Sequence, residues 1–227
     1  MSASPLKRST TAPSTTVGLV DVVVTSFNDG QFLQEALTSL GSDRARGEGV
    51  VIVNDGSTDQ RSLDVLAGLR MRGYRVVDQE NLGLSAARNT GWRKSEAPYV
   101  LFLDADNHIE PSLLTKASAM LEEDASISAV YSDKVEFGLR EQIVEQPEVT
   151  LAELLLGNRI DACAVVRREV LLALGGFDEA MRDGYEDWEF WIRMISTGHR
   201  MQRIAEPLFH YRVREGSLLS RPTQPAK

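Results

Sequence analysis

The sequence predicts an α/β fold, a Rossmann-like, mainly parallel and doubly wound sheet flanked by helices, with a mixed carboxyl-terminal half. Three observations predict it. Strand and helix patterns alternate with short connections from Leu19 to Leu103. The strand segments are near-continuous apolar, β-branched runs, the signature of strands covered on both faces. Polar clusters stand where these runs stop, and helical periods follow them, so the connections are right-handed crossovers and not hairpins.

Taken in order, Val20–Thr25 is the first strand, and Phe32, Leu33, Ala36, Leu37 and Leu40 recur after it at helical spacing. Val50–Val53 is the second strand, followed by an amphipathic stretch carrying Leu63, Leu66 and Leu69. Tyr74–Val77 is the third strand, Leu84–Trp92 a helix, and Tyr99–Leu103 the fourth strand. A helix after Pro111 runs through Glu123. Beyond it the pattern predicts strands at Ala129–Tyr131, Cys163–Val166, Met201–Ile204 and Leu208–Arg212. Short helices are expected at Leu151–Leu156 and Glu169–Leu174, and a longer one over Asp187–Thr197 with Trp188, Trp191, Ile192 and Ile195 inward. Asp133–Pro147, with mixed charge and no clear period, reads as a loop or irregular hairpin.

The first residues are rich in Ser, Thr, Ala and Pro, which predicts a disordered leader over 1–17. One domain is expected over 18–220, with a ligand-binding half (18–125) and a second half (126–220), then a flexible tail at 221–227.

The net charge of −8 argues against nucleic acid as a partner, because that binding rests on a basic surface. An acidic protein also repels phosphorylated ligands, so a phosphate site here needs a divalent cation or locally placed arginines. A single cysteine, Cys163, excludes an internal disulfide and suits a reducing compartment. No apolar run reaches membrane-spanning length. The expected location is cytoplasmic, with peripheral contact at the inner face of the membrane compatible.

Between Val100 and Asn107 the chain reads VLFLDADN. Asp104 and Asp106 fall at the carboxyl end of a strand, where open α/β sheets keep their ligands. Two hard carboxylates one residue apart can hold Mg²⁺ or Mn²⁺ and leave positions open for phosphate oxygens. The plain structural reading is a strand-end turn capped by Asp106 or Asn107. An aspartyl phosphatase would need a threonine where His108 stands.

The other strand ends carry their own signals. Thr25-Ser26-Phe27-Asn28-Asp29-Gly30 offers an aromatic that can stack on a base, though alone it is ordinary turn chemistry. In Asn54-Asp55-Gly56-Ser57-Thr58-Asp59, either Thr58 or Asp59 can cap the next helix, leaving Asp55 to accept from a base imide. Arg88 lies within Asn81-Leu82-Gly83-Leu84-Ser85-Ala86-Ala87-Arg88-Asn89, on a helix whose start faces the same edge. Gly175-Gly176-Phe177-Asp178-Glu179 precedes Tyr185-Glu186-Asp187-Trp188. There Asp183 and Glu186 can form a capping box, while Asp187 beside aromatic walls is placed to serve as a general base. Last comes His210-Tyr211-Arg212-Val213-Arg214, in which His210 is either structural or a third metal ligand.

As an ordered set, these motifs resemble the family 2 glycosyltransferases, inverting enzymes of the GT-A fold, from about Val20 to Ser217. The resemblance implies hexosyl-type transfer from a nucleoside-diphosphate sugar to a saccharide, lipid-linked or other hydroxyl acceptor, in cell-wall or polysaccharide biosynthesis. It implies that Thr25, Phe27 and Asp55 hold base and ribose, with Arg88 on the donor side. Asp106 would bind the divalent metal (Mn²⁺ or Mg²⁺), with Asp104 on the ribose or a metal-bound water. Asp187 would be the catalytic base, with Glu186 as second choice. Where members of the family often carry histidine after Tyr-Arg-x, this chain has Arg214. Either His210 takes the metal role, or Arg214 contacts the diphosphate. A non-catalytic nucleotide-sugar or glycan-binding module is the competing reading, and a metal-dependent phosphohydrolase a weaker one. The intact Asp104, Asp106 and Asp187 count against the module.

Overall fold

A computed structural model describes residues 16–215, so most of the expected leader and the whole of the expected tail lie outside the described residues. The first half forms as the pattern requires. In it β1 (Val20–Ser26), α1 (Gly30–Ser39), β2 (Val50–Asp55), α2 (Gln60–Met71), β3 (Arg75–Gln79), α3 (Leu84–Arg93) and β4 (Tyr99–Asp104) alternate. The four strands pair in parallel in the order β3-β2-β1-β4. The second half contributes β5 (His108–Ile109), α4 (Ser112–Glu123), β6 (Ile127–Gly138), β7 (Gln142–Val144), α5 (Leu151–Leu156), β8 (Val165–Arg167), α6 (Arg168–Leu174), α7 (Glu186–Ser196) and β9 (Arg200–Val213). Its strands extend the same sheet as β4-β8-β6-β9-β5, with β8 antiparallel to both neighbours and β9 parallel to β6.

The sheet is covered on both faces, which is why its central strands read as unbroken apolar runs. Val22, Val24, Val50, Ile52, Leu101 and Leu103 join one core with Leu33, Leu37 and Leu66. Their neighbours Val23, Val51, Val53, Val100 and Phe102 join a second core with Trp92, Phe190 and Trp191. Successive side chains of a strand point to opposite faces, so each strand serves both cores. Helix α3 lies very close to β1: a Cβ at Gly91 would stand 2.1 Å from Val23 Cγ1.

The second half corrects three expectations. Asp133–Pro147 contains a regular hairpin, because β6 runs on to Gly138 and β7 returns along it with Glu136 opposite Gln142. Its charged residues are paired within the sheet: the buried Glu136 accepts from Arg140 Nε at 2.5 Å and Gln142 Nε2 at 2.7 Å. The two late strands are one strand, β9, whose register against β6 shifts around Asp133 and Pro207. Proline donates no ladder hydrogen bond and marks that irregularity. The buried side of α7 centres on Phe190, Trp191 and Met194, with Trp188, Ile192 and Ile195 at its margin.

Candidate active site

The strand ends meet at the carboxyl edge of the parallel half. Register places Thr25 beside Asp104 and Ser26 beside Asn54, so the loops after β1, β2 and β4 open into one cleft of about 490 Å³. Two of these loops are tied to each other. Asn28, in the left-handed region at φ 56°, accepts from Thr58 N at 2.8 Å and Asp59 N at 3.1 Å. Its own backbone N–H donates to Ser57 Oγ at 2.9 Å. Asp59 caps α2 by accepting from Ser62 N at 2.9 Å, which decides between the two expected caps. Asp55 lines the cleft, but its carboxylate also holds the next loop. Oδ1 accepts from Gln79 Nε2 at 2.7 Å and Leu82 N at 2.9 Å, and Oδ2 accepts from Gly83 N at 3.0 Å. Phe27 stands beside them, 44% exposed as a residue, an apolar side chain open to the cleft.

Helix α3 joins this edge to the second half through two consecutive residues. Arg88 is buried; its Nη2 donates to Asp104 Oδ1 at 3.0 Å, and its Nη1 donates to Glu186 Oε1. Thr25 Oγ1 donates to the same Asp104 oxygen at 2.9 Å. Asn89 donates to Phe177 O at 2.8 Å and to Glu179 Oε1 at 2.8 Å, and accepts from Phe177 N and Trp92 Nε1, both at 2.9 Å. The GGFDE turn is thus a plug fitted to α3. Gly176 is required there: at φ 79° its Cβ would fall 2.2 Å from Asn89 Oδ1.

Asp106 lies on the same edge. Arg214 Nε is 2.9 Å from its Oδ2, and the same guanidinium forks onto Asp29 at 2.7 and 3.0 Å. Burial and the nearby Asp104 push the Asp106 carboxyl up to about 6, against the pull of Arg214. His210 is not brought into the cleft. Strand alternation turns Phe209 and Tyr211 toward it and His210 away. The His210 ring stacks on His108 with centroids 4.4 Å apart, and its Nε2 is 3.2 Å from Glu110 Oε1. This removes it as a third metal ligand. Among the described residues no group of three His, Cys, Asp or Glu could enclose a metal ion.

Across the cleft stands the start of α7. Tyr185 adopts the left-handed conformation at φ 66° and no side chain caps the helix, so the expected Asp183–Glu186 capping box does not form. Glu186 is spent on Arg88 instead. Asp187 accepts from Trp188 N at 2.7 Å and Asn158 Nδ2 at 3.0 Å, both through Oδ1. Burial first, and the Glu186 charge second, push the Asp187 carboxyl up to about 7. A helix start favours an anion by up to about 1 kcal/mol, and here burial wins.

Thr25, Phe27, Asp55, Arg88, Asp104, Asp106, Glu186, Asp187 and Arg214 therefore line one cleft, and His210 does not. Asp29, Asn158, Asp161 and Tyr211 line it too and were not expected. Burial raises the Tyr211 phenol, and Lys134 bridges Asp161 (Nζ–Oδ2 2.9 Å) and the Tyr211 ring (4.9 Å). Asn158 and Asp161 follow a short helix in a segment without period, so only topology brings them here.

Carboxylates and arginines thus gather at the carboxyl edge of a mainly parallel sheet covered by helices. Residues 21–175 match the sequence profile of glycosyl transferase family 2, and residues 140–222 match a profile described as glycosyltransferase-like family 2. The first match alone covers more than half of the chain: it belongs to glycosyl transferase family 2. An uncharacterised glycosyltransferase of Haemophilus influenzae is 26% identical over 199 residues, 84% of this chain and 67% of that protein. The teichoic acid poly(glycerol phosphate) polymerase of Staphylococcus epidermidis is 26% identical over 204 residues, 84% of this chain and 28% of that protein. Residues 1–349 of S. aureus TarS, solved with UDP-GlcNAc, share the fold with a TM-score of 0.73 at 23% identity, covering 91% of this chain and 62% of that one. A mannosyltransferase of Pyrobaculum calidifontis, solved with GDP-Man and Mn²⁺, has a TM-score of 0.67 at 20% identity, covering 88% of this chain and 58% of that one. The chain thus spans about two thirds or less of the length of these proteins. No helix among the described residues is long and apolar enough to cross a membrane.

Proposed function

We propose that this chain transfers one sugar from a nucleoside-diphosphate sugar to an acceptor hydroxyl with inversion, Asp187 acting as general base. The observation that carries this reading is the Asp187 carboxyl itself. One of its oxygens is held by Trp188 N and Asn158, none of the described residues donates to the other, and its pKa of about 7 suits proton transfer near neutral pH. It faces the edge where Arg88 and Asp104 meet, and both line the same cleft. Asp187 takes the acceptor proton as its oxygen attacks the anomeric carbon, and the nucleoside diphosphate leaves from the opposite face. One displacement inverts the configuration, with no second carboxylate flanking the bond as in glycoside hydrolysis.

On the donor side, Phe27 stacks the base and Asp55 accepts from its edge while holding the 82–83 backbone. Thr25 and Asp104 meet the ribose. Asp106 and Asp104 fit a divalent cation: both are hard oxygen donors, and the crowding that raises Asp106 is the crowding a cation relieves. Such a metal, when bound, supplies charge neutralisation at the leaving diphosphate. Arg214 supplies positive charge at the same place. The teichoic acid polymerase relative favours an acceptor in cell-wall or polysaccharide biosynthesis, met as a saccharide or lipid-linked hydroxyl.

Thermal shift with UDP, GDP and dTDP, each with and without Mn²⁺, names the donor class, because a ligand of the folded state raises its stability. Silence to all of them overturns the donor site. Asp187→Asn is expected to keep that nucleotide response and lose transfer; retained transfer moves the base elsewhere.

A further inference from the structure

The turn after α5 contains an amide with no structural task. Asn158 follows Gly157, the residue that ends α5, yet its side chain satisfies none of the helix carbonyls. Its Nδ2 donates to Asp187 Oδ1 at 3.0 Å, and its Oδ1 is buried without a partner. A buried acceptor without a partner is destabilising, so packing alone does not account for an asparagine here. The mounting is firm. Trp188, next to Asp187, donates from Nε1 to Leu154 O at 2.6 Å, which fastens α5 to the start of α7. The indole therefore sets the spacing between the helix that delivers Asn158 and the helix that delivers Asp187.

We propose that Asn158 is a positioning residue for Asp187: it holds Oδ1, so that Oδ2 is the oxygen presented to the acceptor, and it favours the ionised carboxylate. This rests on the reading of Asp187 as the base. A hydrogen bond donated to a carboxylate stabilises its charged form and opposes the burial and the Glu186 charge that raise this group. The other charges facing it are Arg88, which favours ionisation, and Asp161, which opposes it. Asn158 thereby keeps the base usable at neutral pH.

The test is a carboxyl-carbon NMR titration of the full chain, the Asp187 resonance being assigned by its absence in Asp187→Asn. In Asn158→Ala the Asp187 midpoint is expected to rise, and in the isosteric Asn158→Asp to rise further, because a second carboxylate now faces it. Should Asn158→Ala fail to fold, Asn158→Asp carries the test alone. An unchanged midpoint in a folded variant overturns the proposal.

A second reading uses nucleotide release from the donor that the thermal-shift screen identifies. The acid limb of the pH–rate profile is expected to move up with the NMR midpoint, and the high-pH plateau to fall, because Oδ1 is no longer held in place. A midpoint that moves while the rate profile stays fixed keeps the contact but overturns its role in the reaction. If Asp187→Asn still transfers sugar, the base assignment fails by itself, and the titration still reports whether Asn158 tunes this carboxylate.

Discussion

Arg88 and Glu186, 98 positions apart in the chain, form a buried ion pair at the boundary between the two halves of the sheet. The same guanidinium reaches Asp104, so one side chain spans from the donor edge to the first turn of α7. Three charges are shared among groups that would each be costly alone in this setting. Burial opposes the Arg88 charge, but Asp104 and Glu186 outweigh it and hold the guanidinium firmly protonated. Glu186 acts as an anchor in this arrangement, whereas its neighbour Asp187 has no ion-pair partner among the described residues.

Arg88→Ala leaves Glu186 buried and uncompensated. Removing one partner of a buried pair costs about 3–5 kcal/mol, and chemical denaturation of the variant is expected to show a loss of that order. A loss under about 1 kcal/mol, the scale of a surface pair, would show that the bridge contributes no more than exposed ones do.

The raised Asp187 carboxyl also makes stability depend on pH. Folded, it titrates at about 7; unfolded, an aspartate titrates near ~3.9. Between these values the folded state holds the extra proton, so this group's contribution to stability falls as pH rises from about 4 to 7, then levels. Asp187→Asn lacks the group. Its stability relative to wild type is expected to climb across that window and hold steady above pH 8 in urea titrations. Asp106 adds a parallel fall up to about 6 in both proteins, and so cancels from the difference. A difference that is flat with pH would remove Asp187 as the perturbed group.

In the proposed site, Arg214 would compete with a cation for Asp106. Its Nε lies 2.9 Å from Oδ2, and without it that oxygen is open. Arg214→Ala is expected to weaken binding of the screen's nucleoside diphosphate when metal is absent, and to enlarge the gain from Mn²⁺. Calorimetric titration with and without the ion reads both. Equal loss under the two conditions would mean that Arg214 serves the diphosphate without touching the cation position.

The first half was legible because its strands carry no cross-strand puzzle: each apolar run pairs in parallel with the next through a helix of its own period. That order brings 25, 27, 55, 88, 104 and 106 to one edge, but singling out 25, 27 and 88 as site positions took the family resemblance as well, because 25–30 alone reads as a turn. The second half depends on pairing between distant segments. Charged positions in Asp133–Pro147 concealed how regular its hairpin is, because Glu136 and Arg140 satisfy each other. His210 read in sequence as either structural or a third metal ligand, and only the register of β9 beyond the Pro207 irregularity decides which face it takes. Asn158 and Asp161 had no local signal at all. The expected cap at Glu186 failed for a different reason: a buried arginine from another element outbid the local backbone for its carboxylate.

Asn89, one step along α3 from Arg88, grips the GGFDE turn at its backbone and at Glu179. Reactant spacing is therefore gauged from one helix rather than accumulated across a wide sheet. Distortions of the far strands, or exchange of the hairpin beyond β6, leave that gauge intact. One helix thus serves as the common ruler for both walls of the cleft.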